Sequence, residues 1–266
     1  MKHLKSSIED IRLIFENGVT VKYIAEPLAS FDAGHPTDKV LQFMEQKHYD
    51  IVGVRQDGVV CGYAEKSDIS SNKLGDYCKP FQSKDLLPET APLIDAFKKL
   101  ADSCCLFVLC LGKVGGIVTR ADMQKIPVRL WLFSMVSLLE MQFLRIIKEK
   151  YPGNSWETLI TDKRLGDVKK VFSDRQQRNQ EIDLIDCIQF CDKADIVLKS
   201  DELRGSLGFQ SKSELKTLLK RLREIRDELA HGQFITHEDG WSNFVSLIEK
   251  TEKMLTSCEN INGMQL

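Results

Sequence analysis

One order of features occurs twice along this chain of 266 residues, and that repeat constrains its fold more than any single motif. In the first copy a helix over Lys39–Lys47, with Val40, Leu41, Phe43 and Met44 on it, precedes a strand at Ile51–Val54. A turn at Gln56-Asp57-Gly58 leads to a second strand at Val59–Ala64, and Ser67-Asp68 then reads as a helix cap. In the second copy the helix is Leu93–Leu100 and the strands are Cys105–Leu111 and Val114–Val118. The turn is Gly112-Lys113, and Thr119-Arg-Ala-Asp122 opens a helix. The unbroken apolar run Cys105–Leu111 predicts a strand covered on both sides. Two such units, each too small to hold a core alone, must pack against one another.

The pattern changes beyond Pro127. Val128–Tyr151 reads as a long helix with Pro127 in its first turn, and Tyr151-Pro-Gly-Asn154 ends it. Further helices are expected over 162–178, 182–198, 212–230 and 239–256, without strand signals. A short helix over 8–15, capped by Ser6 or Ser7, opens the chain. The expected architecture is α+β: a repeat module of small sheets with helices over 1–126, an all-α bundle over 127–258, and a disordered tail over 259–266.

The totals exclude several function classes. A formal net charge of −2 provides no global basic field for nucleic acid or anionic lipid. The eight cysteines form no Cys-x-x-Cys, and no histidines gather near them, so no metal site is expected. They read as reduced, small core residues, with Cys187 and Cys191 stacked one turn apart on a helix. The N-terminus lacks an apolar signal region. The most membrane-like run, 130–147, is interrupted by Glu140 and Arg145, which leaves it short of the ~20 apolar residues a span needs. A cytoplasmic, soluble chain without a membrane partner follows. Neither a Walker loop, a dinucleotide fingerprint, a Gly-x-Ser-x-Gly elbow nor a His-Glu-x-x-His is present.

The second unit ends in Gly115-Gly116-Ile117-Val118-Thr119-Arg120-Ala121-Asp122, and the first in Gly62-Tyr63-Ala64-Glu65-Lys66-Ser67-Asp68. These frames resemble the terminal signature of cystathionine-β-synthase (CBS) motifs, and the resemblance covers roughly residues 19–126. It implies a tandem CBS pair, the Bateman module, that senses AMP, ATP or a related adenine nucleotide. That nucleotide is a regulatory ligand, and no cofactor is required. In the family the Thr binds phosphate and the Asp binds ribose hydroxyls, roles that fall here on Thr119 and Asp122. A helix N-terminus there would supply free N–H groups and a favourable dipole. In the first copy Glu65 replaces the Thr, a repulsion that Lys66 offsets only in part, so the site near Asp68 is expected to be degraded. The alternative is that Asp122 and Asp68 are simply N-caps.

Helix 212–230 bears one apolar stripe, Leu215, Leu218, Leu219, Leu222, Ile225 and Leu229, about 120° wide at about 100° per residue. Arg226 falls inside it, about 40° from Leu222, whereas Lys216, Lys220, Arg221 and Arg223 lie outside. A cation within such a stripe needs a partner or a purpose. The run Arg226-Asp-Glu-Leu-Ala-His231 is similar to the motif of HEPN domains, all-α modules that often dimerise. The resemblance implies a homodimer and a metal-independent ribonuclease. In it Arg226 stabilises the phosphorane, His231 moves the proton, Asp227 positions the motif, and Lys216, Lys220, Arg221 and Arg223 contact RNA. A plainer reading pairs Arg226 with Asp183 or Asp186 and lets His231 cap the helix. Trp131, Phe133, Leu138, Leu139 and Phe143 read as a face docking the bundle onto the repeat module or a second subunit. The competing function is a non-catalytic energy-state sensor or dimeric scaffold that binds a partner protein.

Overall fold

The computed structural model describes residues 13–14, 17–232 and 240–261. The expected helix over 8–15 therefore lies mostly outside the described residues. The chain divides into two compact units, one over 14–129 and one formed by 1–13 with 130–266.

The first unit contains both repeats and is built from two four-stranded sheets. The strands are β1 (Glu26–Pro27), β2 (Ser30–Asp32), β3 (Ile51–Gln56), β4 (Val59–Glu65), β5 (Lys79–Pro80), β6 (Leu86–Pro88), β7 (Cys105–Cys110) and β8 (Lys113–Thr119). One sheet has the order β2-β3-β4-β5 and the other β1-β8-β7-β6. Strand β1 thus precedes the first repeat yet pairs in the second repeat's sheet.

The two sheets follow one plan. β2 pairs parallel to β3 as β6 does to β7, while β3–β4 and β7–β8 are antiparallel hairpins. A β-bulge falls at Val54/Arg55 in one hairpin and at Val108/Leu109 in the other, at the same place in both repeats. The turns match too: Asp57 and Gly58 have φ 51° and 77°, Leu111 and Gly112 have φ 49° and 79°.

Helix α1 (Thr37–Lys47) buries Val40 and Met44, one turn apart, and His48 closes it in the left-handed conformation. Helix α2 (Leu93–Asp102) buries Leu93, Ala96, Phe97 and Leu100, the i, i+3, i+4, i+7 stripe of a core-facing helix. β7 is buried over its first four residues, as its unbroken apolar run predicts. The expected helix after Ser67-Asp68 is not formed. A turn occupies these residues, and the next helical element is a 3-10 helix at Leu74–Tyr77.

The second unit is helical: α3 (Ile126–Lys150, whose first turn contains the division), α4 (Asp162–Gln177), α5 (Phe190–Lys199), α6 (Asp201–Ser206), α7 (Lys212–Ala230) and α8 (Trp241–Asn260). The helix expected over 182–198 is broken. A 3-10 helix at Leu184–Cys187 precedes α5, and capping boxes at Asp183/Asp186 and Gln189/Asp192 start each piece. Cys187 and Cys191 consequently lie on different elements. Helix α8 continues through Asn260 with Cys258 fully buried, so residues 259 and 260 belong to the helix rather than to a tail.

Leu138, Leu139 and Phe143 belong to the bundle's own core beside Trp156, Phe190, Leu215 and Leu222, whereas Phe133 on the same helix is exposed. The face expected to dock elsewhere is thus mostly the interior of this unit. Among the described residues α3 is the one helix long and apolar enough to cross a bilayer, and most of it is buried in the protein. The cysteines also depart from expectation: Cys105, Cys187 and Cys258 are buried, but Cys61, Cys104 and Cys110 are exposed. Each exposed one sits on a hairpin strand or a strand entry, where alternation turns it outward.

Candidate functional site

A cleft of about 800 Å³ opens in the repeat unit, within the range of small-molecule sites. Four segments line it: Glu26–Ala29, His48–Ile51, Ala101–Cys105, and the end of β8 with Ile117, Thr119, Arg120, Ala121 and Asp122. Both repeats contribute. The first supplies the exit of α1 and the entry of β3, and the second supplies the corresponding exit of α2 and entry of β7.

Thr119 and Asp122 sit on its wall. The Thr119 backbone N–H donates to Asp122 Oδ2 at 2.7 Å, and the Thr119 hydroxyl donates to the same oxygen at 3.0 Å. Asp122 Oδ1 receives Lys125 Nζ at 2.8 Å. Lys125 also donates to the Ile24 carbonyl at 2.6 Å and bonds Glu26. Burial works against the charge on Lys125, but its bonds to Asp122 and Glu26 hold its pKa above the ordinary lysine value. Both oxygens of Asp122 are therefore engaged, one on each side. The element they open is a five-residue 3-10 helix, Arg120–Gln124, rather than the α-helix N-terminus expected there, so its dipole is small. Arg120 turns its guanidinium to the carbonyls at the end of α2: Nε and Nη2 donate to Leu100 O at 3.0 and 2.7 Å. It caps that helix end.

The corresponding place in the first repeat is built differently. Lys79 Nζ lies 3.0 Å from Glu65 Oε1 and 2.6 Å from Asp68 Oδ2. Its hydrogen bond with Lys79 is the main cause that lowers the pKa of Asp68. Beside it Tyr63, Phe81 and Phe107 form an aromatic cluster with centroids 4.6–5.9 Å apart. Asp68 and Lys66 do not line the cleft.

The sequence reading missed the segments Glu26–Ala29, His48–Ile51 and Ala101–Cys105. A signal existed for the first of them. Glu26-Pro27-Leu28-x-Ser30 recurs as Lys79-Pro80-Phe81-x-Ser83, and both copies pair with the same strand positions, Pro27 with Gly116 and Pro80 with Gly62. The glycines explain the approach. A Cβ on Gly62 would lie 2.4 Å from the Lys79 carbonyl oxygen, and one on Gly116 3.2 Å from that of Glu26.

In the helical unit Arg226 is half-exposed, at 41%, with Nε 3.9 Å from Glu140 and Nη1 3.7 Å from Asp227. Its partner is thus Glu140 on α3. Asp183 and Asp186 instead take Lys148. Glu140 also receives the buried Lys193 at 2.8 Å. His231 is exposed at the end of α7, its N–H bonded to Asp227 O. Lys216, Lys220 and Arg223 are exposed as well. Arg221 is only 19% exposed and faces Glu224 and Glu228 at 3.2 and 3.3 Å, so it does not extend that surface. Among the described residues no three His, Cys, Asp or Glu side chains gather as a metal site would need.

No family model and no curated protein matches the chain. Solved structures of CBS proteins are similar to part of it. CBSX2 from Arabidopsis thaliana, a CBS-pair protein, is 22% identical over 42% of this chain and 94% of its own, with a TM-score of 0.35. CBSX2 in complex with AMP is 22% identical over 40% and 92%, TM-score 0.34. The CBS domain of the bacterial CNNM/CorC family Mg2+ transporter in complex with ATP is 17% identical over 46% and 94%, TM-score 0.36.

Proposed function

We propose that the repeat unit is a CBS-type regulatory module of a cytoplasmic, soluble protein, whose cleft takes an adenine nucleotide at Thr119 and Asp122. The observation that carries this reading is the cleft itself, assembled from both repeats with Asp122 on its wall. Solved relatives in complex with AMP and ATP agree with it. A ribose diol would donate to Asp122 in place of the Thr119 hydroxyl and Lys125. Lys125 directly precedes α3, so its release alters the base of that helix, and this is the step by which binding is transmitted. The first repeat contributes walls and not a second site, because Lys79 already occupies Glu65 and Asp68. Calorimetric titration of the full chain with AMP and ATP tests the reading. Binding that Asp122→Asn weakens at least tenfold is expected; no binding at millimolar ligand overturns it.

For the helical unit the favoured output is a metal-independent endoribonuclease of HEPN type, working as a homodimer. The exposure of Asp227 and His231 at the end of α7, with the half-exposed Arg226 on the same helix and Lys216, Lys220 and Arg223 along it, favours this reading. His231 moves the proton while Arg226 stabilises phosphate charge. Labelled single-stranded RNA in EDTA should be cleaved by the parent chain and not by His231→Ala or Arg226→Ala. Intact RNA at every added nucleotide concentration would instead favour a non-catalytic sensor that binds a partner protein.

A further inference from the structure

Charge within the cleft has a bearing on which adenosine compound it accepts. Four carboxylates line it, Glu26 and Asp50 from one side, Asp102 and Asp122 from the other. The cations do not face them freely. Arg120 is drawn to the carbonyls at the end of α2, and Lys125 is shared between Asp122, Glu26 and the Ile24 carbonyl. The Thr119 hydroxyl donates to Asp122 and not outward. The short 3-10 helix adds little positive dipole. A nucleoside whose ribose lies on Asp122 therefore shares the cleft with the carboxylates of Glu26, Asp50 and Asp102.

We infer that the cleft selects adenosine compounds whose 5′ end is neutral or positively charged, and that it discriminates against the triphosphate. The inference rests on the adenine-nucleotide reading of the same site. Each phosphate added at the 5′ end brings further negative charge among the carboxylates. Like charges across the cleft repel even through water, and several such pairs act together. At least a tenfold loss of affinity from adenosine to ATP follows.

The test is calorimetric titration of the full chain, in magnesium-free buffer, with adenosine, AMP, ATP and 5′-amino-5′-deoxyadenosine. The expected order of affinity is the 5′-amine, then adenosine, AMP and ATP. The gap should narrow several-fold in the Asp50→Asn, Asp102→Asn double variant. Should that variant fold poorly, the parent chain serves, because raising sodium chloride from 50 to 500 mM must narrow the gap likewise. ATP binding as tightly as adenosine overturns the selectivity while leaving the nucleotide site standing. Failure of all four compounds to bind overturns the site reading itself.

Discussion

Leu111 is a leucine where a leucine is unfavourable. It occupies the first of two left-handed turn positions between β7 and β8, with φ 49°, and its side chain is 97% exposed. A β-carbon there crowds the following carbonyl and costs about 1–2 kcal/mol, which short polar residues partly recover by local hydrogen bonds. The first repeat has Asp57 at the same position. Leu111→Asn would create Asn-Gly, the preferred pair for a two-residue hairpin. We expect it to stabilise the repeat unit by about 1 kcal/mol and raise its melting temperature by about 4 °C. Leu111→Ala, which keeps the strain, should bring no such gain. Scanning calorimetry of the two variants decides it, and a lower melting temperature for the asparagine variant would contradict the account. The place of Thr119 and Asp122 on the cleft wall was legible at this scale because Thr119 ends a strand and Asp122 follows it in a repeated frame. Asp50, Asp102 and Cys104 were not, because each is an ordinary loop or helix-end residue until the fold places it on the cleft wall.

Between elements, an ion pair ties α4 to α5. Arg164 donates to both oxygens of Asp192, at 2.9 and 2.8 Å, and the Gln189 N–H adds a bond at 2.9 Å. The Asp192 side chain is 3% exposed. Burial alone would raise its pKa, but Arg164 and the Gln189 N–H outweigh it and hold the carboxyl below the ordinary aspartate value. A depressed folded pKa means stability that is fully present above about pH 4 and lost as pH falls through the folded value. Asp192→Asn should therefore cost about 2 kcal/mol at pH 7, less than a fully buried pair because Arg164 is one-third exposed. The difference from the parent chain should shrink as pH falls below about 4. Urea unfolding at pH 7, 5 and 3 checks this, and a pH-independent difference would count against it.

The same junction explains what the sequence conceals about elements. The apolar residues over 182–198 continue a helical period, yet Asp183, Asp186, Gln189 and Asp192 stand three apart, and each pair starts a new piece. Both hairpins were legible because a glycine marks each turn and their strands span six or seven residues, although the second turn is Leu111-Gly112 and not the expected Gly112-Lys113, Lys113 already belonging to β8. Strands β1, β2, β5 and β6 have two or three residues each, too short to establish a period, and only tertiary pairing defines them.

For the whole molecule, the repeat unit's pairing predicts where the chain can be cut. Apolar contacts join the repeats: Leu28 and Phe107 cluster with Ile51, Val60, Tyr63, Phe81 and Ile117. β1 pairs with β8, and Lys125 bonds Ile24 and Glu26, so the two ends of the unit hold one another. A fragment of residues 14–129 should therefore unfold in one cooperative transition and bind adenosine within about threefold of the full chain. A cut between β5 and β6 would separate β1 from its partner and β2–β5 from the apolar contacts with Phe107, so neither half should fold alone. Adenosine at about 100 times its dissociation constant should stabilise the 14–129 fragment by about 2.7 kcal/mol. Ending the fragment at Thr119 removes Asp122 and Lys125 together, and that stabilisation should vanish. Thermal melts of the two fragments with and without adenosine make the comparison. Equal stabilisation of both would show that the ligand does not depend on Asp122, and the assignment of the cleft would fall with it.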